Sequence, residues 1–135
     1  MFFKSKLQKA IENQTHKGFI VEGKPKSVVS EAYRTLRTNI QYSSYDKKIQ
    51  TIVVTSAEAA EGKSTVSGNL ALTFAQSNNK VILVDCDLRK PSLHKKFQIS
   101  NLIGLSEVIL GKESIEHAIQ KRNDITIYTE SLCPD

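Results

Sequence analysis

The sequence predicts an α/β fold built on a doubly wound, mostly parallel sheet. A short run of β-branched residues, 52–54, reads as a buried strand and precedes a loop and a helix expected from Gly62 to about Ser77. A second apolar run, Val81–Val84, follows, and four consecutive apolar residues are typical of a strand covered by helices on both faces. Strand, helix and strand in this order predict a βαβ unit over residues 50–86, with a right-handed crossover.

Length and composition place the chain among globular proteins of one domain. Its 135 residues are enough to bury a core, and 39% hydrophobic with 24% charged residues exclude a disordered or fibrous chain. No apolar run approaches the ~18 residues of a membrane span, and no apolar signal-peptide region is present at the N-terminus. Two cysteines, Cys86 and Cys133, make no disulfide framework, which fits a reducing cytoplasm.

The charge is unevenly distributed along the chain. Of the net charge of +5, residues 1–48 contribute ten lysines and arginines against four acidic residues, while residues 49–135 are close to neutral. We therefore divide the chain into a basic leader, 1–28, and a folded domain, 29–135. A basic arm of this kind can bind anionic lipid, nucleic acid or an acidic partner, although a solvated tail is the simpler interpretation. Four apolar residues of the leader could line a short helix: Phe2, Phe3, Leu7 and Ile11.

A helix is predicted from Ser30, as N-cap, to about Tyr42. Glu31, Arg34 and Arg37 recur every three residues along one flank of this helix. Arginine forks suit carboxylates on another chain, but an exposed Glu31–Arg34 pair within the helix explains the spacing equally well. The helix taken alone favours the second interpretation.

The loop before the second helix has the features of a phosphate-binding loop. Gly62, Lys63 and Ser64 open a helix directly after a predicted strand, so backbone N–H groups and the helix dipole would face an anion. Lys63 is expected to contact the β- and γ-phosphates of ATP, and the Ser64 hydroxyl to bind Mg²⁺. The general pattern G-x-x-x-x-G-K-[ST] is incomplete, because Ala57 occupies the first glycine position. The predicted nucleotide-binding residues are Ala59, Ala60, Glu61, Gly62, Lys63, Ser64 and Thr65.

Two acidic residues follow the second strand. Ligands of open α/β sheets bind beyond the carboxyl ends of the strands, where Asp85 and Asp87 are expected beside the phosphate loop. Strand alternation places both carboxylates on one side and Cys86 on the other. Carboxylates there can ligate Mg²⁺ or accept a proton from an attacking hydroxyl. The alternative is a strand-end turn that caps the next element.

The remaining chain predicts short helical pieces over residues 92–121, with Leu93 and Phe97 packing on the sheet. His94 and His117 lack the spacing of metal ligands and are interpreted as surface residues. An apolar alternation at residues 125–128 predicts a third strand.

Four blocks of this sequence resemble the bacterial tyrosine kinases that control capsule and exopolysaccharide export, a family of cytoplasmic P-loop kinases. The blocks are Glu31-Ala-Tyr-Arg-Thr-Leu-Arg, Thr55-Ser56 with Glu61-Gly-Lys-Ser-Thr, Asn69-Leu-Ala, and Val84-Asp-Cys-Asp-Leu-Arg-Lys-Pro. The last block is the most specific. Partitioning ATPases of the same fold carry a signature lysine one residue past the first loop position, where this chain has Glu58.

The resemblance implies a role for each matching residue. Lys63 and Ser64 would hold ATP and Mg²⁺, Asp85 would accept a proton or ligate the metal, and Asp87 would be a second metal ligand. Arg89 would support the active arrangement. The resemblance also reverses the interpretation of the first helix: its residues Glu31, Arg34 and Arg37 would form a homo-oligomer contact near a neighbour's nucleotide site.

The resemblance further implies partners and a location. A transmembrane adaptor protein would hold and activate the kinase at the inner face of the cell membrane, protein tyrosines would be its substrates, and nucleic acid would not be a partner. This chain departs from the family pattern in carrying Ala60 where relatives have glycine. Relatives continue for roughly 70–100 further residues, with a third acidic motif and a terminal tyrosine cluster.

From the sequence we therefore expect the N-terminal part of an ATP-dependent protein-tyrosine kinase. Two alternatives stay open: a truncated nucleotide-binding or interaction remnant without kinase activity, and a partitioning-type ATPase.

Overall fold

The computed structural model of the chain describes residues 18–122 and 124–131. In chain order, its elements are α1 (Ile20–Gly23), α2 (Val28–Tyr42), α3 (Lys63–Ala75), β1 (Val81–Val84), α4 (Leu93–Phe97), α5 (Leu105–Ile109), α6 (Ile115–Ala118), β2 (Gln120–Arg122) and β3 (Ile125–Tyr128). The helices predicted within the described residues and the two later strands are confirmed. No helix in the described part of the chain combines the length and apolar character needed to cross a membrane.

The three strands form one mixed sheet in the order β1-β3-β2. β1 pairs in parallel with β3, with Val81 opposite Ile125, while β2 pairs antiparallel to β3. The parallel connection passes through α4, α5 and α6, as expected for an α/β fold. β2 was not predicted, because Gln120–Arg122 has no apolar alternation and is held as a strand only by its pairing with β3.

The core lies between α3, the sheet and the segment that precedes α2. Residues 68–73 of α3 are all buried, so this helix is enclosed on most sides and is less amphipathic than expected. The aromatic rings of Phe19 and Phe97 pack with their centroids 4.4 Å apart. Gly68 allows the Phe19 ring to lie directly on α3, because a Cβ at that position would stand 2.1 Å from a ring carbon.

The predicted strand at residues 52–54 is wrong. Residues 48–56 form neither helix nor strand, and Ile52 and Val53 are 43% and 83% exposed. A strand needs a hydrogen-bonded neighbour, and the described partner of β1 is β3. A cavity of about 810 Å³ lies beside β1 instead, lined by residues of 48–54, α3 and β1. The expected βαβ unit over residues 50–86 is therefore not formed.

Strand β1 is also less buried than predicted. Leu83 is 8% exposed, but Ile82 and Val84 on the alternate positions are 65% and 40% exposed. Only one face of this strand is covered by helices in the described residues. The apolar run identifies the strand correctly but overstates its burial.

Helix α2 begins earlier than predicted. Its N-cap is Ser27, whose Oγ accepts the N–H of Ser30 at 3.1 Å, so the helix starts at Val28. Ser30 is fully buried inside the first turn, and its hydroxyl donates to the carbonyl of Lys24 at 2.7 Å. Both serines are good caps by type, and the tertiary contact of Ser30 decides between them.

Part of the predicted basic leader is packed into the domain. Phe19 and Val21 are buried in the core, and the N–H of Val21 donates to Oδ1 of Asn69 on α3 at 3.2 Å. The boundary predicted at residue 28 therefore falls too late, because apolar residues before α2 cover one side of α3. The predicted helix along Phe2 and Ile11 lies outside the described residues.

Candidate nucleotide-binding site

The phosphate loop ends in two residues with left-handed backbone conformation. Gly62, the N-cap of α3, has φ +91°, and Ala60 has φ +61°. Glycine adopts such angles freely, whereas a Cβ costs roughly 1–2 kcal/mol there. The position where the resembling kinases carry glycine is therefore a position where this backbone favours glycine.

Ala60→Gly is expected to raise the free energy of unfolding by about 0.5 kcal/mol, the relief of Cβ strain less the added freedom of the unfolded chain. We also expect stronger ATP binding, because the loop can approach the phosphates more closely. Urea denaturation and calorimetric titration measure the two effects. Ala59→Gly is the control, since Ala59 does not have positive φ and should only lose stability. No gain in either quantity for Ala60→Gly would contradict the strained-loop explanation.

The Lys63 side chain lies across the loop. Its Nζ donates to Ser56 Oγ at 2.8 Å and to the Glu58 carbonyl at 3.4 Å. Among the described residues no carboxylate lies within ion-pair distance of this ammonium group. Glu61 closes the loop from the other end, where its Oε2 accepts the N–H of Glu58 at 3.0 Å. The hydrogen-bond acceptors of the Lys63 ammonium group are thus neutral oxygens.

A cavity of about 390 Å³ brings most of the predicted site together. Lys63, Ser64 and Asp87 all line it, although Asp87 is more than twenty positions further along the chain. Glu61, Asp85 and Arg89 are not among its lining residues. The full lining is Ala59, Ala60, Gly62, Lys63, Ser64, Thr65, Asp87, Lys90, Pro91, Ser92, Lys95 and Lys96.

Asp85 does not line this cavity but binds the backbone of Ser92, which does. The residue is 5% exposed, and its Oδ2 accepts the N–H groups of Ser92 and Leu93 at 3.0 and 3.1 Å. Its Oδ1 accepts the N–H of Asp87 at 3.1 Å. A carboxylate with both oxygens on backbone donors fixes the turn that joins β1 to α4. This is the capping role that the sequence left open as an alternative.

Ser92 links this turn to the phosphate loop and was missed by sequence reasoning. Its N–H is bound by Asp85, while its Oγ hydrogen-bonds the Ser64 hydroxyl. A serine directly after Pro91, at the start of a helix, is a local signal for a cap, but nothing local indicates its contact with Ser64. The Ser64 hydroxyl is thereby oriented through Ser92 by a buried carboxylate.

The other residues of the acidic block are exposed. Asp87 Oδ1 accepts the N–H of Lys90 at 3.0 Å, and Asp87 lines the cavity. Arg89 lies on the surface outside the cavity lining, so its support of an active arrangement stays a prediction. Cys86 is exposed and is not in a disulfide.

His94 lies under the same turn, and its interpretation as a surface residue is wrong. It is 7% exposed, because α4 turns its side chain inward. Burial, with repulsion from Lys95, lowers the pKa of His94, and attraction to Asp85 acts in the opposite direction. His117 is exposed as predicted and pairs with Glu113.

The three charged residues on the flank of α2 make two kinds of contact, one within the segment around α2 and one with α3. Arg34 Nη1 pairs with Glu31 Oε1 within the helix at 2.7 Å, and Arg34 also donates to the Pro25 carbonyl. Arg37 Nη1 donates to the Thr73 carbonyl at 3.2 Å and to the Ser77 hydroxyl at 2.7 Å, which docks α2 on α3. In this chain Arg37 is thus a contact between helices.

The side chains present fit a magnesium nucleotide better than a metal held by protein alone. Within residues 18–122 and 124–131, no group of three histidine, cysteine or acidic side chains could hold a metal ion. The cavity is lined by three hydroxyl side chains, those of Ser64, Thr65 and Ser92, and by one carboxylate, that of Asp87. Mg²⁺ commonly takes one or two protein oxygens and completes its shell with phosphate oxygens and water.

Comparison with known proteins identifies the family. A family profile described as ParA, NUBPL iron-transfer P-loop NTPase, matches residues 47–128. The chain belongs to this P-loop NTPase family. The predicted α/β nucleotide-binding fold is therefore confirmed.

Individual relatives of this ParA-type chain are bacterial tyrosine kinases. This chain is 45% identical over 118 residues to tyrosine-protein kinase YwqD of Bacillus subtilis, and the match covers 87% of this chain and 50% of that protein. The structure of the chimerical protein CapA2B2 matches with a TM-score of 0.81 at 37% identity, covering 86% of this chain and 52% of the other. The kinase domain of Escherichia coli tyrosine kinase ETK matches with a TM-score of 0.81 at 32% identity, covering 88% of this chain and 48% of the other.

These comparisons confirm the resemblance to bacterial tyrosine kinases drawn from the sequence. The chain spans about half the length of YwqD and of each of the two solved structures.

Proposed function

We propose that this chain is the nucleotide-binding part of a cytoplasmic, autophosphorylating protein-tyrosine kinase that acts in capsular or exopolysaccharide biosynthesis and export. The observation that carries the proposal is the cavity shared by Lys63, Ser64 and Asp87. It joins an ammonium group, a hydroxyl and a carboxylate on the walls of a space of about 390 Å³, within the usual size of a ligand site. The kinases named among the relatives support the choice of reaction.

In this proposal the loop 59–65 binds the phosphates of ATP. The free N–H groups at the start of α3, a helix of 13 residues, attract negative charge, and Gly62 lets the backbone approach it. Lys63 exchanges its contacts with Ser56 and Glu58 for phosphate oxygens, which are charged and therefore stronger acceptors. Binding then costs little at this residue, because only neutral hydrogen bonds are given up.

Ser64 and Asp87 are the proposed protein ligands of Mg²⁺. When bound, Mg-ATP supplies the transferable phosphoryl group, and the chain contributes positioning and charge neutralisation. The contact from Ser92 holds the Ser64 hydroxyl in place before the metal is bound. Asp85 is buried, does not line the cavity and already accepts three backbone N–H groups, so we assign it to positioning of the turn and Asp87 to the metal.

The test of this function is the formation of phosphotyrosine. The chain is incubated with Mg-ATP and tyrosine-containing protein, and the products are analysed by mass spectrometry, with Lys63→Met as the inactive control. Phosphotyrosine that depends on Lys63 supports the kinase. Saturable Mg-ATP binding without phosphotyrosine supports the second candidate, a nucleotide-binding module without kinase activity. The partitioning-type ATPase stays disfavoured by Glu58, and ATP hydrolysis stimulated by DNA would support it.

We further propose a transmembrane adaptor as activating partner, which would hold the chain at the inner face of the cell membrane. Self-association through α2 is part of the same proposal. Glu31 is 66% exposed at its side chain and Arg34 33% exposed, so both are available to a second copy. Arg37 is largely used within the chain, which limits its contribution to such a contact.

Arg34→Ala is expected to shift the sedimentation profile toward monomer and to lower the free energy of unfolding by less than about 1 kcal/mol, because the contacts of Arg34 with Glu31 and with the Pro25 carbonyl are both exposed. Arg37→Ala is the contrasting variant: it removes two hydrogen bonds between α2 and α3 and should lower the free energy of unfolding by about 1–2 kcal/mol. An unchanged profile for Arg34→Ala, in a wild-type chain that self-associates, would rule out this contact.

A further inference from the structure

The wall of the nucleotide cavity carries more positive charge than the phosphate loop supplies. Four lysines and one carboxylate line the cavity. Lys63 belongs to the loop, whereas Lys90, Lys95 and Lys96 belong to the turn and helix that follow β1. This second segment, which we call the lysine wall, consists of Lys90, Lys95 and Lys96.

The lysine wall is not neutralised by the chain itself. In the part of the chain that the structure describes, none of these three side chains forms an ion pair or a hydrogen bond with a protein acceptor. The carboxylate closest in sequence, Asp87, accepts only a backbone N–H from Lys90. Three uncompensated ammonium groups on one concave wall create a local positive potential that attracts a polyanion.

The proposed nucleotide does not require this second segment. In the proposed site, Lys63 and the α3 N-terminus would contact the phosphates, and Mg²⁺ would neutralise part of their charge. In a kinase, the protein that presents the acceptor tyrosine is a second source of negative charge at this cavity, besides the nucleotide itself. Lysine is a flexible point charge and suits carboxylates that vary in position among substrates.

We propose that the lysine wall binds acidic side chains next to the acceptor tyrosine, so that this site selects tyrosines in acidic surroundings. The inference rests on the proposed kinase function and adds the substrate class. Lys95 and Lys96 are adjacent on α4, and Lys90 lies in the preceding turn, so the wall presents its charges from two directions. Carboxylates on both sides of a tyrosine match such an arrangement.

The test measures peptide binding and needs no catalysis. Two fluorescent peptides, Glu-Glu-Tyr-Glu-Glu and Gln-Gln-Tyr-Gln-Gln, are titrated with the whole chain and followed by anisotropy, with and without Mg-ADP. We expect the acidic peptide to bind about tenfold more tightly at low salt, since two or three exposed ion pairs contribute tenths of a kcal/mol to about 1 kcal/mol each. The preference should fall as ionic strength rises.

Lys95→Gln combined with Lys96→Gln should reduce the preference for the acidic peptide at least about fivefold, both without nucleotide and at saturating Mg-ADP. Arginine at both positions should restore the preference. Lys47→Gln with Lys121→Gln removes the same charge outside the cavity lining and is the matched control.

Equal affinity for the two peptides would overturn the proposal, and so would the same loss in the control variant. Weaker Mg-ADP binding with an unchanged peptide preference would instead assign the lysines to the nucleotide and equally overturn it. Failure of the wild-type chain to bind Mg-ADP is a separate result, which refutes the proposed function and not the peptide preference.

Discussion

Lys63→Met abolishes nucleotide binding if the phosphate-loop assignment is correct. Removing one partner of a close charge pair typically costs 2–5 kcal/mol, so the affinity for Mg-ATP should fall at least about 30-fold. The fold should survive, because Lys63 gives up only hydrogen bonds to Ser56 and Glu58 and methionine keeps an unbranched side chain at the start of α3. Calorimetric titration measures the affinity.

Lys47→Met is the control, since it removes an exposed lysine that does not line the cavity. It should bind Mg-ATP as the wild type does. Retention of ATP affinity within a few-fold by Lys63→Met would reject the loop as the phosphate site.

Asp85→Ala is expected to cost about 3 kcal/mol of stability, the largest effect on folding predicted here. The substitution leaves three backbone N–H groups without their charged acceptor, at a buried position. Urea denaturation gives the free energy of unfolding. Asp87→Ala is the matched variant two residues away: it is exposed, so stability should change by less than about 0.5 kcal/mol, while the Mg²⁺ dependence of nucleotide binding is weakened.

The two variants separate structure from metal binding. If Asp85→Ala were as stable as wild type and lost Mg²⁺ dependence, Asp85 would be the metal ligand and the positioning role would be wrong. If Asp87→Ala kept full Mg²⁺ dependence, the proposed metal ligand would have to be replaced.

The parts of the fold that sequence predicted well are those that depend on local pattern. Helix α3 follows from Gly62 and Lys63, and strand β3 follows from the alternation of Ile125 and Ile127, both of which are buried. The convergence of Lys63 and Asp87 was also predicted, although the reason given for it, a shared sheet edge, applies only to Asp87, because residues 52–54 form no strand.

The parts that failed depend on partners distant in sequence. Residues 52–54 have strand character, yet a strand forms only where a neighbour pairs with it. The contact between Ser92 and Ser64 joins two segments, and no pattern within either segment indicates it. His94 was misplaced for the same reason, since its burial is decided by how α4 packs.

The clearest test of the central claim is an amide NMR titration of the isotopically labelled chain with Mg-ADP. We predict that the largest shift changes occur in two segments that are distant in sequence, 59–65 and 87–92, at one common dissociation constant. Shift changes confined to residues around the larger cavity, such as 49–54 and 81–83, or no saturable change at all, would contradict the account.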